Sequence, residues 1–184
     1  CLHILSGILY KVTNMITVDY ANEYLFEPLE IKTVYADKTN EELTARKEQI
    51  EKCGMSLHEL LSLASVVQNE TLFEEDLPKI AGVFYNRLEQ GMPLQSDITV
   101  LYAIQEKRVE VYYSDLEVDS PYNTYKYAGI PVGPVCGVAG YALDGTLNYE
   151  KSDYLYFFAT KEGKVLYSKT LAEHEKTVQE NLWY

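Results

Sequence analysis

The segment from Ser56 to Glu70 constrains the fold more than any other part of the chain. Ser56 and Glu59 have the spacing of a capping box, which predicts that a helix begins here. Apolar residues then recur at helical intervals and predict one buried face: Leu57, Leu60, Leu61, Ala64 and Val67. Glu70 comes three residues after Val67 and continues this face. A carboxyl group therefore stands where the pattern requires an apolar side chain.

Two interpretations of Glu70 follow from this position. A carboxyl on an apolar helix face is desolvated, and desolvation raises its pKa because it penalises the charged form. A carboxylic acid that is still protonated near neutral pH can donate its proton to a glycosidic leaving oxygen. In the alternative interpretation, Glu70 marks the end of the helix, turns towards solvent and caps a neighbouring group. Periodicity alone does not separate the two.

The rest of the chain predicts further helices and one hairpin. A charged helix from Lys38 to Cys53 would end at Gly54, and a helix beginning at Leu77, with Asp76 as its cap, would end at Gly91. The sequence also predicts a strand over 31–35, a helix from Ser96 or Asp97 and a short helix over 141–147. Towards the C-terminus it predicts a hairpin formed by 154–159 and 165–168 and a final helix from Thr170.

Several polar residues are placed where they could serve a binding site. Arg87 lies on the apolar face of its helix, so it could hold a substrate carboxyl or acyl group, or could form an internal salt bridge to the preceding loop. Gln95, Ser96 and Asp97 follow a helix stop. Ser96 and Asp97 are good capping residues, so capping and substrate contact are both open for them.

A loop over residues 120–127 is rich in rings and hydrogen-bonding groups. Tyr122, Asn123 and Tyr125 could together bind a sugar, since a tyrosine combines an apolar ring with a polar tip. Asn123 could equally be a turn residue.

Composition limits the class of protein. The 184 residues fit one domain or one domain with a small appendage, and 47% hydrophobic residues permit a packed core. A net charge of −12 argues against a nucleic-acid partner. The three cysteines and three histidines lack metal-ligand spacing, so we expect no metal or cofactor. No apolar run is long enough to span a membrane.

Ordered motif blocks resemble one known family. Residues 63–71 (LASVVQNET) are similar to the catalytic helix of the YceG-like endolytic murein transglycosylases. Further similar blocks follow in the same order: 80–88 (IAGVFYNRL), 91–97 (GMPLQSD), 120–125 (SPYNTY), 129–134 (GIPVGP), 154–157 (YLYF) and 171–174 (LAEH). The resemblance is strong over residues 55–184, which we therefore assign as the catalytic domain. Residues 1–54 would be a diverged upstream segment.

The resemblance implies an α+β fold with a helical catalytic core around a glycan cleft and a small antiparallel hairpin near the C-terminus. It implies cleavage of the β-1,4 bond between N-acetylmuramic acid and N-acetylglucosamine without water, which leaves a 1,6-anhydro end. The catalytic Glu of the family falls on Glu70, which would act first as acid and then as base. Cleft or support residues would be Arg87, Gln95, Ser96, Asp97, Tyr122, Asn123 and Tyr125.

The resemblance also implies a setting in the cell. Peptidoglycan strands would be the substrate, and cell-wall synthases are candidate partners. The full-length protein would lie at the extracytoplasmic face of the bacterial membrane, held by a preceding helix that this chain lacks, while the chain itself would be soluble.

Departures from the family pattern keep alternatives open. Gln68 stands where the family commonly has Glu, and Ile98 and Val132 stand where it usually has Pro. Two other functions therefore remain: a muramidase that uses water, and an inactive glycan-binding module of cell-wall assembly.

Overall fold

A computed structural model describes residues 43–106, 108 and 110–181. Contacts divide the chain into two units, Cys1–Met55 and Ser56–Tyr184. In the first unit, helix α1 spans Lys47–Lys52, and Gly54 follows it with a φ of +79°. The charged helix predicted here is confirmed over α1. The strand predicted at residues 31–35 lies outside the described residues.

Helix α2 spans Leu57–Asn69 and begins with the predicted capping box. Ser56 Oγ accepts a hydrogen bond from the Glu59 backbone N–H, and the Glu59 carboxylate accepts one from the Ser56 backbone N–H. The buried surface of α2 is wider than one face, because Leu63 and Val66 are as fully buried as Leu60 and Val67. The second half of α2 is therefore enclosed on almost every side, and the helix lies in the centre of the core.

Helix α3 spans Leu77–Glu89 and follows a 3₁₀ turn at Glu74–Asp76. The prediction that Asp76 caps α3 is wrong: its side chain makes no capping hydrogen bond, because the 3₁₀ turn leads directly into the helix and leaves Asp76 with helical dihedrals. Met92 N–H donates to the Arg87 carbonyl at 2.8 Å, and Gly91 has a φ of +66°, so α3 ends as predicted.

Helix α4 spans Asp97–Ile104, and helix α5 spans Gly140–Leu147 and packs against both α2 and α3. Glycine permits two close approaches around α3. A Cβ on Gly82 would stand 2.2 Å from the Glu150 carbonyl oxygen, and one on Gly145 would stand 2.8 Å from Leu77 Cβ. The three helices α2, α3 and α5 thus enclose most of the core.

Strands β1 (Tyr156–Ala159) and β2 (Val165–Ser168) form an antiparallel hairpin in which Tyr156 pairs with Ser168 and Ala159 with Val165. Helix α6 (Leu171–Asn181) packs on both strands, and β1 packs on α3. This arrangement confirms the predicted α+β class, with a helical core and a small antiparallel sheet near the C-terminus.

Candidate active site

Glu70 lies at the C-terminal end of helix α2, and the helix sets its position in the site. Glu70 is the C-terminal cap of the helix, and its backbone N–H still donates to the Val67 carbonyl at 3.2 Å. Because the preceding turns are packed inside the core, the position of the Glu70 backbone is set by the core rather than by a free loop. The side chain is half-buried.

Ser96 contacts the Glu70 carboxyl directly. The Ser96 hydroxyl donates to Glu70 Oε1 at 2.5 Å. Ser96 stands at the N-cap position of α4, as one interpretation of the sequence predicted, but its side chain makes no capping hydrogen bond. The hydroxyl is directed to the carboxyl of Glu70 instead, so Ser96 is a partner of the candidate acid.

Two buried threonines hold Ser96 in place. Thr124 Oγ1 accepts from the Ser96 backbone N–H at 3.0 Å, and Thr99 Oγ1 donates to the Ser96 carbonyl at 2.7 Å. The two threonine hydroxyls are also 2.8 Å apart. The sequence analysis missed this pair as support for the site. The spacing of Ser96 and Thr99, three residues apart at a helix start, is the signal that could have indicated one of them.

The environment of Glu70 raises its pKa to about 7 from an ordinary value of 4.5. Burial is the main cause, because it penalises the charged carboxylate, and the negative charge of Asp97 adds to it. The hydrogen bond from Ser96 and the positive charge of Arg87 act in the opposite direction. The prediction that Glu70 is desolvated is confirmed, and near neutral pH its protonated and ionised forms are both well populated.

Arg87 makes hydrogen bonds to backbone carbonyls of two separate segments. Its Nε donates to the Leu155 carbonyl at 2.6 Å, and its Nη1 donates to the Leu94 carbonyl at 2.8 Å. The guanidinium also lies over the ring of Tyr156, 5.0 Å from the ring centroid. No ion pair of Arg87 occurs within the described part of the chain, so the predicted salt bridge to the preceding loop is not found, and Arg87 acts on Glu70 through its field.

Gln95 lies next to Ser96 in a left-handed backbone conformation, with a φ of +50° that costs free energy in a non-glycine residue. Its backbone N–H donates to the Thr124 carbonyl at 3.1 Å, and its side-chain oxygen accepts from Arg87 Nη1 at 3.4 Å. The Gln95 side chain remains exposed. The strained turn places Ser96 inward and Gln95 outward.

Asp97 and Tyr125 form a second pair beside Glu70. The Tyr125 hydroxyl donates to Asp97 Oδ1 at 2.6 Å. Burial, followed by the effect of Asp97, raises the pKa of Tyr125 above its ordinary value, and the charge of Glu70 contributes in the same direction. Asp97 is exposed and Tyr125 is half-buried, so this pair borders the solvent-facing side of the site.

The structure separates Asn123 and Tyr122 from this group. Asn123 is fully buried. Its amide nitrogen donates to the carbonyls of Leu116 and Val118 at 2.8 and 2.9 Å, and its amide oxygen accepts from the Tyr125 backbone N–H at 3.0 Å. Asn123 therefore holds its own loop, as the alternative interpretation of a turn residue predicted, and has no free amide group for a sugar.

Tyr122 packs against Tyr102, with ring centroids 4.7 Å apart. Its hydroxyl lies 2.9 Å from where a Cβ on Gly133 would stand, and His58 Cε1 lies 3.8 Å from the same point. His58 belongs to the first turn of α2, about 18 Å along the helix axis from Glu70. Tyr122 is thus placed towards the other end of α2.

A loop over residues 132–139 runs alongside α2 and contacts it at successive turns. The Val132 carbonyl lies 2.8 Å from His58 Nε2, and the Val135 backbone N–H donates to Ser65 Oγ at 2.9 Å. At the last turn the Ala139 backbone N–H donates to Gln68 Oε1 at 2.8 Å. We call this segment the α2-parallel loop. It carries Cys136, and both Cys136 and Cys53 are free thiols.

Residues 43–106, 108 and 110–181 contain neither a candidate metal site nor a candidate membrane-spanning helix. No group of His, Cys, Asp and Glu side chains there is arranged to hold a metal ion. No helix there combines the length and apolar character needed to cross a bilayer.

The predicted site residues thus fall into two groups. Those brought together around one carboxyl are Glu70, Arg87, Gln95, Ser96, Asp97 and Tyr125; the two placed elsewhere are Tyr122 and Asn123. The grouped residues surround a carboxyl that is half-buried and titrates near neutral pH. Such a group can both donate and accept a proton at one position.

The fold and the site together define an α+β domain in which one carboxyl group with a raised pKa lies at the end of a buried helix. Sequence comparison then gives its family: the profile of the YceG-like family matches residues 7–180. The chain belongs to the YceG-like family.

The chain is similar to named relatives of this family and to one solved structure. The chain is 45% identical to an endolytic murein transglycosylase of Bacillus subtilis over 139 residues, 76% of this chain and 39% of the relative. It is 41% identical to one of Streptococcus pneumoniae over 72% of this chain and 25% of the relative. A crystal structure of a yceG-like protein of Listeria monocytogenes matches with a TM-score of 0.75 and 46% identity, over 80% of this chain and 48% of that one. The chain therefore spans less than half the length of each of these relatives.

Proposed function

We propose that residues 55–184 form the catalytic domain of an endolytic lytic transglycosylase. Its substrate is the β-1,4 bond between N-acetylmuramic acid and N-acetylglucosamine in peptidoglycan. The observation that carries the proposal is the Glu70 carboxyl, which is half-buried, hydrogen-bonded by Ser96 and titrates at about 7. The family membership and the names of the two relatives support the same reaction class.

In the first step, protonated Glu70 donates its proton to the glycosidic oxygen while the bond from that oxygen to the muramic C1 breaks. The sugar ring then carries the positive charge of an oxocarbenium-like state. In the second step, the Glu70 carboxylate accepts the proton of the muramic C6 hydroxyl, whose oxygen bonds to C1. The products are a 1,6-anhydro ring and a free N-acetylglucosamine hydroxyl. Glu70 ends protonated, and no water is consumed.

The surroundings of Glu70 suit both steps. Burial favours the acid that the first step requires, whereas the Ser96 hydrogen bond stabilises the carboxylate that the second step requires. The Asp97 carboxylate is close enough to raise the pKa of Glu70, so it is also placed to stabilise positive charge on the sugar ring. One residue can therefore serve as acid and base in turn.

The other predicted residues take separate roles in this proposal. Gln95, Asp97 and Tyr125 retain solvent exposure beside Glu70 and are proposed to contact the glycan. Arg87 holds the turn that carries Ser96. Tyr122 is proposed to bind a sugar unit away from Glu70, towards the first turn of α2, and Asn123 supports the loop that carries Tyr125.

A muramidase that uses water is the second candidate, and Asp97 is the observation that favours it. Hydrolases of this kind pair an acid with a second carboxylate that activates water or stabilises the intermediate. Asp97 is exposed and near Glu70, so it could take that role. The two reactions differ in product, since hydrolysis leaves reducing ends.

The test is digestion of purified peptidoglycan followed by mass spectrometry of the muropeptides. We expect 1,6-anhydro ends from the unmodified protein and a loss of about 10²- to 10⁴-fold in rate for Glu70→Gln, because the proton donor is gone. Glu89→Gln is the matched control, as Glu89 is an exposed glutamate at the end of α3. Reducing ends would favour the muramidase, and an absence of products from the unmodified protein would favour the glycan-binding module. Unchanged products from Glu70→Gln would mean that Glu70 is not the acid.

The setting in the cell is likewise a proposal. A peptidoglycan substrate places the domain on the extracytoplasmic side of the membrane, and enzymes that synthesise glycan strands are the natural protein partners. Residues 1–54 are proposed as a separate upstream segment.

A further inference from the structure

Gln68 connects the last turn of α2 to the α2-parallel loop through both ends of its amide. Its Nε2 donates to the Gly137 carbonyl at 3.1 Å, and its Oε1 accepts from the Ala139 backbone N–H at 2.8 Å. The neighbouring Asn69 makes a further contact, as its Nδ2 lies 3.0 Å from Cys136 Sγ. The end of the helix that carries Glu70 is therefore attached to this loop by side chains directly before Glu70.

The direction of this attachment matters. Successive residues of a helix are about 100° apart, so Gln68 and Glu70 leave the helix about 200° apart. Their contacts agree with that geometry, since Gln68 meets Gly137 and Ala139 whereas Glu70 meets Ser96. The helix end is thus held between two attachments on nearly opposite sides.

We propose that Gln68 is a positioning residue for Glu70, and that its amide acts as a clamp that holds the last turn of α2 against the α2-parallel loop. The catalytic part of this inference rests on the proposed function, whereas the clamp itself does not. A loosened helix end would move the Glu70 carboxyl relative to Ser96 and to a bound glycan. Small displacements of this kind reduce turnover, because proton transfer depends on hydrogen-bond distance.

The clamp needs one donor and one acceptor, and only some side chains of this length provide both. A carboxylate has acceptors only. It could accept from the Ala139 N–H, but its negative charge would face the partial negative charge of the Gly137 carbonyl oxygen. A protonated carboxyl again offers one donor and one acceptor. Gln68→Glu therefore keeps the contact with Ala139 at every pH and loses the contact with Gly137 as the new carboxyl ionises.

Other titratable groups around this helix end are few among the described residues. Cys136 faces Gln68, with its Sγ 3.5 Å from Nε2, and burial raises the pKa of this thiol. Asp97, Arg87 and Tyr125 face Glu70 on the other side. All of them are present in every Gln68 variant, so their own titration cancels when a variant is compared with the unmodified protein.

The first measurement is hydrogen exchange of the Ala139 amide, which requires no catalysis. Gln68→Met has similar length but cannot accept from Ala139, so we expect it to lose about tenfold in protection at every pH, equivalent to one net hydrogen bond. Gln68→Glu keeps an acceptor for this amide and should keep its protection. Unchanged protection in Gln68→Met would overturn the clamp.

The second measurement is kcat on peptidoglycan as a function of pH. The ratio of Gln68→Met to the unmodified protein should be about tenfold or more below one at every pH, with KM almost unchanged. Gln68→Glu keeps the contact with Ala139 and should retain most of its kcat. Unchanged kcat in Gln68→Met, or an equal loss in the two variants, would overturn the positioning role. Failure of the proposed function is distinguishable, since anhydro ends would then be absent from the unmodified protein while the exchange pattern persisted.

Discussion

The raised pKa of Glu70 has a consequence for stability that can be measured without a substrate. A carboxyl whose pKa is about 7 in the folded state and about 4.5 in the unfolded chain binds its proton more tightly when folded. Its contribution to stability is therefore present in full below pH 4.5, and is lost as pH rises through 7. Above pH 7 the folded protein retains an ionised carboxylate in an unfavourable environment.

The size of the effect follows from the two pKa values. Their difference corresponds to about 3 kcal/mol, at about 1.4 kcal/mol for each tenfold change in proton affinity. Because the side chain keeps part of its solvent exposure, we expect about 2–3 kcal/mol. Glu70→Gln has a similar shape, can still accept from Ser96 and cannot ionise. We therefore expect this variant to be as stable as the unmodified protein at pH 4 and about 2–3 kcal/mol more stable at pH 8.

Urea denaturation at pH 4, 6 and 8 measures this difference directly. Glu89→Gln serves as the control, since a surface substitution should change the free energy of unfolding by less than about 0.5 kcal/mol at every pH. If Glu70→Gln were no more stable than the unmodified protein at pH 8, the argument that burial dominates the pKa of Glu70 would be refuted.

Two further predictions concern the neighbours of Glu70. Ser96→Ala removes the hydrogen bond to the carboxylate, so the pKa of Glu70 should rise further above 7. ¹³C NMR titration of the carboxyl measures this rise, and Ser96→Thr, which keeps the hydroxyl, should show little of it. Asn123→Ala leaves the carbonyls of Leu116 and Val118 unpaired and should cost about 2–4 kcal/mol in the free energy of unfolding. Retained stability in urea would contradict the support role of Asn123.

Local patterns predicted much of this fold. The capping box and apolar spacing of α2 depend on neighbours within one or two turns, so Ser56 and Glu59 could be assigned from the sequence. The desolvation of Glu70 could also be predicted, because it follows from position on a buried helix. The lack of a capping role for Asp76 could not be predicted, since a 3₁₀ turn that continues into a helix removes the need for a capping side chain.

The partners of the site residues depend on distant segments and could not be predicted. Ser96 had the signature of a cap, yet its hydroxyl is directed to Glu70, 26 residues earlier in the chain. One of the two interpretations of Arg87 gave it a salt bridge to the preceding loop, but it donates to the Leu155 carbonyl, 68 residues later. Nothing in the neighbouring sequence of either residue encodes such a contact.

The hydrogen bonds of Arg87 give the site a particular order of assembly. Arg87 joins the turn before Ser96 to Leu155, which directly precedes the hairpin strand β1, so the surroundings of Glu70 are complete only when the C-terminal part of the chain has packed. Contacts of large sequence separation form slowly because the intervening chain must first be ordered. During synthesis, helix α2 can form early, whereas Ser96 is held opposite Glu70 only after the hairpin has emerged. We therefore expect the proton-transfer chemistry to appear late, when the domain is nearly whole.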